Sequence, residues 1–81
     1  MTVFLLEYEP ATGTLLSLET YDVTRRHVAQ DERLRREKEN ASARRDREVV
    51  LLEAVSEAGL RSTHSRYFKT LEELTKTAAV A

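Results

Sequence analysis

Apolar and polar positions alternate at the start of the chain: Phe4, Leu6 and Tyr8 fall on one side, and Val3, Leu5 and Glu7 on the other. That period of two, in residues that fit a pleated surface, predicts a strand over 2–9. Pro10-Ala11-Thr12-Gly13 follows, a proline that presets a turn and a glycine free to take positive φ. The extended pattern then resumes over 14–21, with Leu16 and Leu18 on one face and Leu15, Ser17, Glu19 and Tyr21 on the more polar one. A β-hairpin is the local solution.

From Thr24 the period changes to that of a helix, with Asp22 or Thr24 as the cap and an extent of 24–43. Val23, His27, Gln30, Leu34 and Ala41 share one narrow stripe of it, and only three of these are apolar. Such a helix is marginal alone and needs a sheet to hold it. The polar residues Asn40, Ser42 and Asp46 lead into Glu48-Val49-Val50-Leu51-Leu52-Glu53-Ala54, a short continuous apolar run that predicts a strand over 48–54 covered on both faces. Ser56 caps a second helix over 56–78, where Leu60, His64, Tyr67, Leu71, Leu74 and Ala78 recur along one face. Thr70-Leu71-Glu72-Glu73 also matches a capping box that would start a separate helix after Phe68-Lys69; the continuous helix is the reading preferred, with fraying at Val80 and Ala81.

The order strand, strand, helix, strand, helix predicts a single small α+β domain over 1–81 with a three-stranded sheet in the order 2-1-3. The last strand is expected parallel to the first after a right-handed crossover, with both helices on one face. That arrangement is ferredoxin-like, short of a final strand. One apolar sheet face is then left over, which predicts a homodimer of the dimeric α+β barrel kind with Val3, Leu5, Val50 and Leu52 at its interface. Edge pairing through the third strand, or a C-terminal helix folded over the open face, are the alternatives.

Size sharpens the case for a partner. A chain of 81 residues has a marginal core, and there is no cysteine to staple it. No stretch has the length and apolarity of a membrane span, and the N-terminus lacks a signal-peptide pattern, so a cytoplasmic protein without membrane contact is expected. The net charge of −1 hides a division: 24–47 holds nine basic and five acidic residues, a net of +4, while the remainder sums to −5. Such a split marks either a basic binding face or a helix that meets acidic neighbours within the molecule.

Phe4-Leu5-Leu6-Glu7-Tyr8, Thr12-Gly13, the run Glu48–Ala54 and Leu60-Arg61-Ser62-Thr63-His64-Ser65-Arg66-Tyr67-Phe68 together resemble a group of short uncharacterised bacterial proteins across residues 3–68. The resemblance implies a compact strand-strand-helix-strand-helix unit and carries no function.

Candidate chemistry is sparse. Arg25, Arg26, Arg33 and Arg36 fall in one sector of the first helix with Ala29 and Asn40 and no carboxylate, a geometry suited to phosphates or carboxylates. A solvated face is the favoured reading, because Glu32, Glu37 and Glu39 flank the sector and no aromatic interleaves the arginines; among partners an acidic protein comes before nucleic acid. His64, in Thr63-His64-Ser65-Arg66-Tyr67, is the one catalytic candidate, in a pocket shared with Tyr8 or Glu53, but its place in the apolar stripe favours packing. Glu7 and Glu9 read equally as pocket groups or as charges guarding an edge. Two histidines 37 positions apart form no metal set, and no cofactor is expected. The leading function is thus a non-enzymatic interaction module acting as a homodimer, with an enzyme and a nucleic-acid binder as the other readings.

Overall fold

The computed structural model describes residues 1–68. Strands β1 (Thr2–Glu9), β2 (Thr14–Asp22) and β3 (Glu48–Ala54) form one sheet in the order β2-β1-β3. Helix α1 (Arg26–Ser42) joins β2 to β3, and α2 (Glu57–Thr63) follows β3, with 3-10 turns at Val23–Arg25 and Ser65–Tyr67. The α+β class, the three strands and their order agree with the sequence pattern.

Both outer strands run antiparallel to β1, which corrects the expected parallel pairing of first and third strands. The reason lies in chain direction. The hairpin leaves the end of β2 at Asp22 beside Thr2, and α1, 17 residues or about 26 Å long, carries the chain back along the sheet. β3 must therefore begin beside Tyr8 and finish beside Thr2. The crossover rule applies to β2 and β3, which are parallel to each other with β1 between them.

The helices also lie on opposite faces rather than on one. Cross-strand partners share a face, so Phe4, Leu6 and Tyr8 stand with Leu52, Val50 and Glu48, and Val3, Leu5 and Glu7 with Glu53, Leu51 and Val49. Leu60 of α2 and Tyr67 pack on the first set with Phe4, Leu6 and Tyr8. The second set lies under α1, whose Arg36 is in ion contact with Glu7 and whose Asn40 donates a hydrogen bond to it. A strand apolar on both sides is thus buried on both sides: Val3, Phe4, Leu5 and Leu6 are at most 2 % exposed.

Local devices set the ends of each element. Gly13, at φ 68°, closes the hairpin and donates its N–H to Glu9 O at 2.9 Å. Leu16 is an extra residue between the Glu7–Ser17 and Tyr8–Leu15 pairs, and this bulge turns Leu15 onto the face of Leu18, leaving Leu16 exposed; the expected Leu16–Leu18 face is corrected accordingly. Asp22 caps the 3-10 turn through Thr24 N and Oγ1 at 2.9 and 2.7 Å, and the backbone bond is the main cause holding its carboxyl below the usual range. Helix α1 ends in a Schellman motif, Arg45 N to Asn40 O and Arg44 N to Ala41 O, with Arg44 at φ 55° where glycine is the usual occupant. Ser56 caps α2 as expected, accepting from Gly59 N at 3.1 Å. The helix expected over 56–78 stops at Thr63, because His64 leaves helical geometry at φ −124°, ψ 47°. The expected stripe of Leu71, Leu74 and Ala78 and the alternative start at Thr70 lie outside the described residues.

Candidate interaction surfaces

Helix α1 turns part of its arginine sector, Arg33 and Arg36, toward the sheet. Its inward stripe is Val28, Ala29, Glu32, Arg33, Arg36 and Asn40, with Ala29 and Asn40 buried, while Leu34 on the stripe expected to pack is 49 % exposed. The sheet explains the inversion. Its facing surface is apolar at Val3, Leu5 and Val49, where the small Ala29 lets the helix approach, and acidic at Glu7, Glu19 and Glu53.

Arg36 is the centre of this contact. Its Nε donates to Glu32 Oε1 at 3.0 Å and its Nη1 to Ser17 Oγ at 3.1 Å, Nη2 donates to Glu19, and Glu7 Oε1 stands 3.7 Å away. The Arg36 and Glu7 side chains are only 12 and 13 % exposed. Burial works against the charged guanidinium, but its bonds to Glu32 and Glu19 outweigh that, and its pKa stands above the ordinary value. Arg35 and then Arg36 hold the Glu32 carboxyl down to about 2. Glu7 also accepts from Asn40 Nδ2 at 3.2 Å and Arg47 Nη1 at 3.5 Å.

The other three arginines of the sector are placed differently. Arg26 Nη1 lies 2.7 Å from Glu53 Oε1, an ion contact without the alignment of a hydrogen bond, Arg33 stands 4.0 Å from Glu37, and Arg25 is exposed. The four therefore do not form one free basic surface. The charge split of the sequence offered acidic neighbours within the molecule as one reading, and the structure identifies them as Glu7 and Glu19 on one face of β1 and β2.

His64 sits at the end of α2, its Nδ1 2.9 Å from Thr63 Oγ1. Tyr8 lies under the α2 side of the sheet and meets Tyr67 edge to face at 5.2 Å between ring centroids. Glu53 is on the opposite face with Arg26, so His64, Tyr8 and Glu53 are not brought to one site. Arg66 lies over the Tyr8 and Tyr67 rings, 5.8 and 4.8 Å from their centroids, and donates to both oxygens of Glu48 at 3.1 Å. Burial is the main cause pushing the Tyr67 hydroxyl above its usual range. Among the described residues no cluster of three or more His, Cys, Asp or Glu is arranged for a metal, and no helix is long and apolar enough to cross a membrane.

The four residues expected at a dimer interface divide between the two faces. Val3 and Leu5 lie under α1, 1 and 0 % exposed, whereas Val50 and Leu52 belong to the α2 face and are half-buried. What unites the remaining candidates is an edge. Among the described residues β3 is paired on one side only, although five of its seven residues are apolar. At the opposite edge β2 carries the bulge and mixes Thr14, Ser17, Glu19 and Thr20 among its leucines, features that discourage pairing. Comparison with known protein families, curated proteins and solved structures finds no match to this chain.

Proposed function

We propose that this chain is a non-enzymatic protein-interaction module that works as a small homodimer, assembled through the outer edge of β3. One observation carries the reading: Val49-Val50-Leu51-Leu52 has the composition of a strand enclosed by neighbours, yet among the described residues it occupies an edge, without proline, lysine or bulge. Unpaired N–H and C=O groups along such an edge are a template for another strand, and a small core gives the monomer reason to use it.

An acidic protein or a nucleic acid would have to compete with Glu7, Glu19 and Glu32 for Arg36, so the arginines are better read as the tether that holds α1 to the sheet. A catalytic His64 would need groups that Tyr8 and Glu53 do not supply from their positions. The test is Val50→Lys/Leu52→Lys, two half-buried edge-strand positions, with solution mass and circular dichroism read together. A fall from dimer to monomer with the fold retained supports the edge; an unchanged dimer places assembly elsewhere.

A further inference from the structure

Arg47, immediately before β3, and Glu53, near its end, stand six residues apart, and their contacts put both on the α1 side of the sheet. Arg47 is fixed there by Glu7 and Glu53 by Arg26, both contacts on the α1 face. A strand with a cation at one end and an anion at the other is complementary to itself when run antiparallel, because each end then meets the opposite end of its copy.

Building on the homodimer reading, we propose that β3 pairs with β3 of a second copy about a two-fold axis at Val50, setting Arg47 opposite the partner's Glu53 at both ends. Geometry leaves few rivals. Side chains directly opposite in adjacent strands point the same way, and a two-fold axis perpendicular to the sheet preserves its faces, so residues i and j pair only when their numbers sum to an even value. That rule removes the register setting Glu48 against Glu53, which would also oppose like charges. Centring on Leu51 sets Glu53 against Val49, which is 7 % exposed, and leaves Arg47 without an acidic neighbour across the strand. Centring on Val50 matches Val49 with the partner's Leu51 on the α1 face and Val50 with itself on the α2 face, and adds two ion pairs. Glu48 then faces the partner's Leu52, its charge already engaged by Arg66. The result is a continuous six-stranded sheet with both copies of α1 on one side.

The absence of cysteine permits a direct test with single-cysteine variants under mild oxidation. Val50→Cys is expected to run as a covalent dimer, while Glu48→Cys and Leu52→Cys, whose copies would lie about 13 Å apart along the strands, stay monomeric on denaturing gels. A second measurement uses charge exchange. Arg47→Glu or Glu53→Arg alone should weaken dimerisation about tenfold, and Arg47→Glu/Glu53→Arg together should restore it, since only the pair between copies is rebuilt while Glu7 and Arg26 then face like charges. Cross-linking at Leu51→Cys or Leu52→Cys in place of Val50→Cys, in a protein that remains a dimer, overturns the register and leaves the homodimer reading intact. A wild-type protein that stays monomeric sinks both, and capture of a strand from a different protein would leave Val50→Cys unlinked to itself.

Discussion

Arg36→Ala distinguishes a tethering arginine from one held out for a partner. In the structure it removes donors to Glu19, Glu32 and Ser17 and leaves Glu7, 13 % exposed, with Asn40 and Arg47 as its polar partners among the described residues. Stripping one member from a fully buried pair costs roughly 3–5 kcal/mol. Here Asn40 and Arg47 still serve Glu7, and Glu19 is 46 % exposed and can rehydrate, so the expected loss is about 2 kcal/mol. For a domain of this size that lowers the melting temperature by about 8–16 °C. Urea titration followed by circular dichroism, at one fixed protein concentration because association adds to stability, gives the value directly. Arg25→Ala, on an exposed residue, is the control and should lie within about 0.5 kcal/mol of wild type. An Arg36→Ala protein equally unperturbed would refute the role of Arg36 as the tether between α1 and the sheet.

Three further outcomes follow from the same geometry. Leu60→Ala should cost roughly 3 kcal/mol, because Leu60 is the buried anchor of a helix too short to stand alone, and retention of wild-type stability in urea would contradict its packing on Phe4, Leu6 and Tyr8. Arg44→Gly should stabilise the chain by up to about 1 kcal/mol by relieving the left-handed conformation at the end of α1; a destabilised variant in thermal melts would deny the Schellman geometry. Glu32, held down to about 2 from an ordinary 4.5, adds stability that is fully present above pH 4.5 and lost as pH falls toward 2; Glu32→Gln should be less stable than wild type at pH 6 and converge with it near pH 2, and a constant difference across acid titration would exclude the linkage.

Element boundaries were legible wherever a local rule dominated. Alternation defined β1, the Pro10–Gly13 turn defined the hairpin, Ser56 marked the start of α2, and the apolar run marked β3. Reading failed where the outcome depended on what lay across the interface. Periodicity gave α1 an apolar stripe through Leu34, but the sheet face it meets is acidic at the rim, so ion pairing and the small Ala29 set its rotation instead. The strand directions needed the length of α1 added to the direction of β2. Leu16 shows the sensitivity of a two-residue period, since one inserted residue exchanged the faces of Leu15 and Leu16. Arg47 just before β3 and Glu53 within it were visible in the sequence at an even spacing, but they acquire meaning only once β3 is an edge among the described residues and both charges are fixed on one face.

Light scattering of the wild-type protein across a dilution series from high to low micromolar tests the homodimer most directly. The expected result is a mass of about 19 kDa, twice the 9.3 kDa chain, falling toward the monomer only on dilution. A mass of 9.3 kDa at every concentration would contradict pairing through β3 and leave its apolar edge to a different partner.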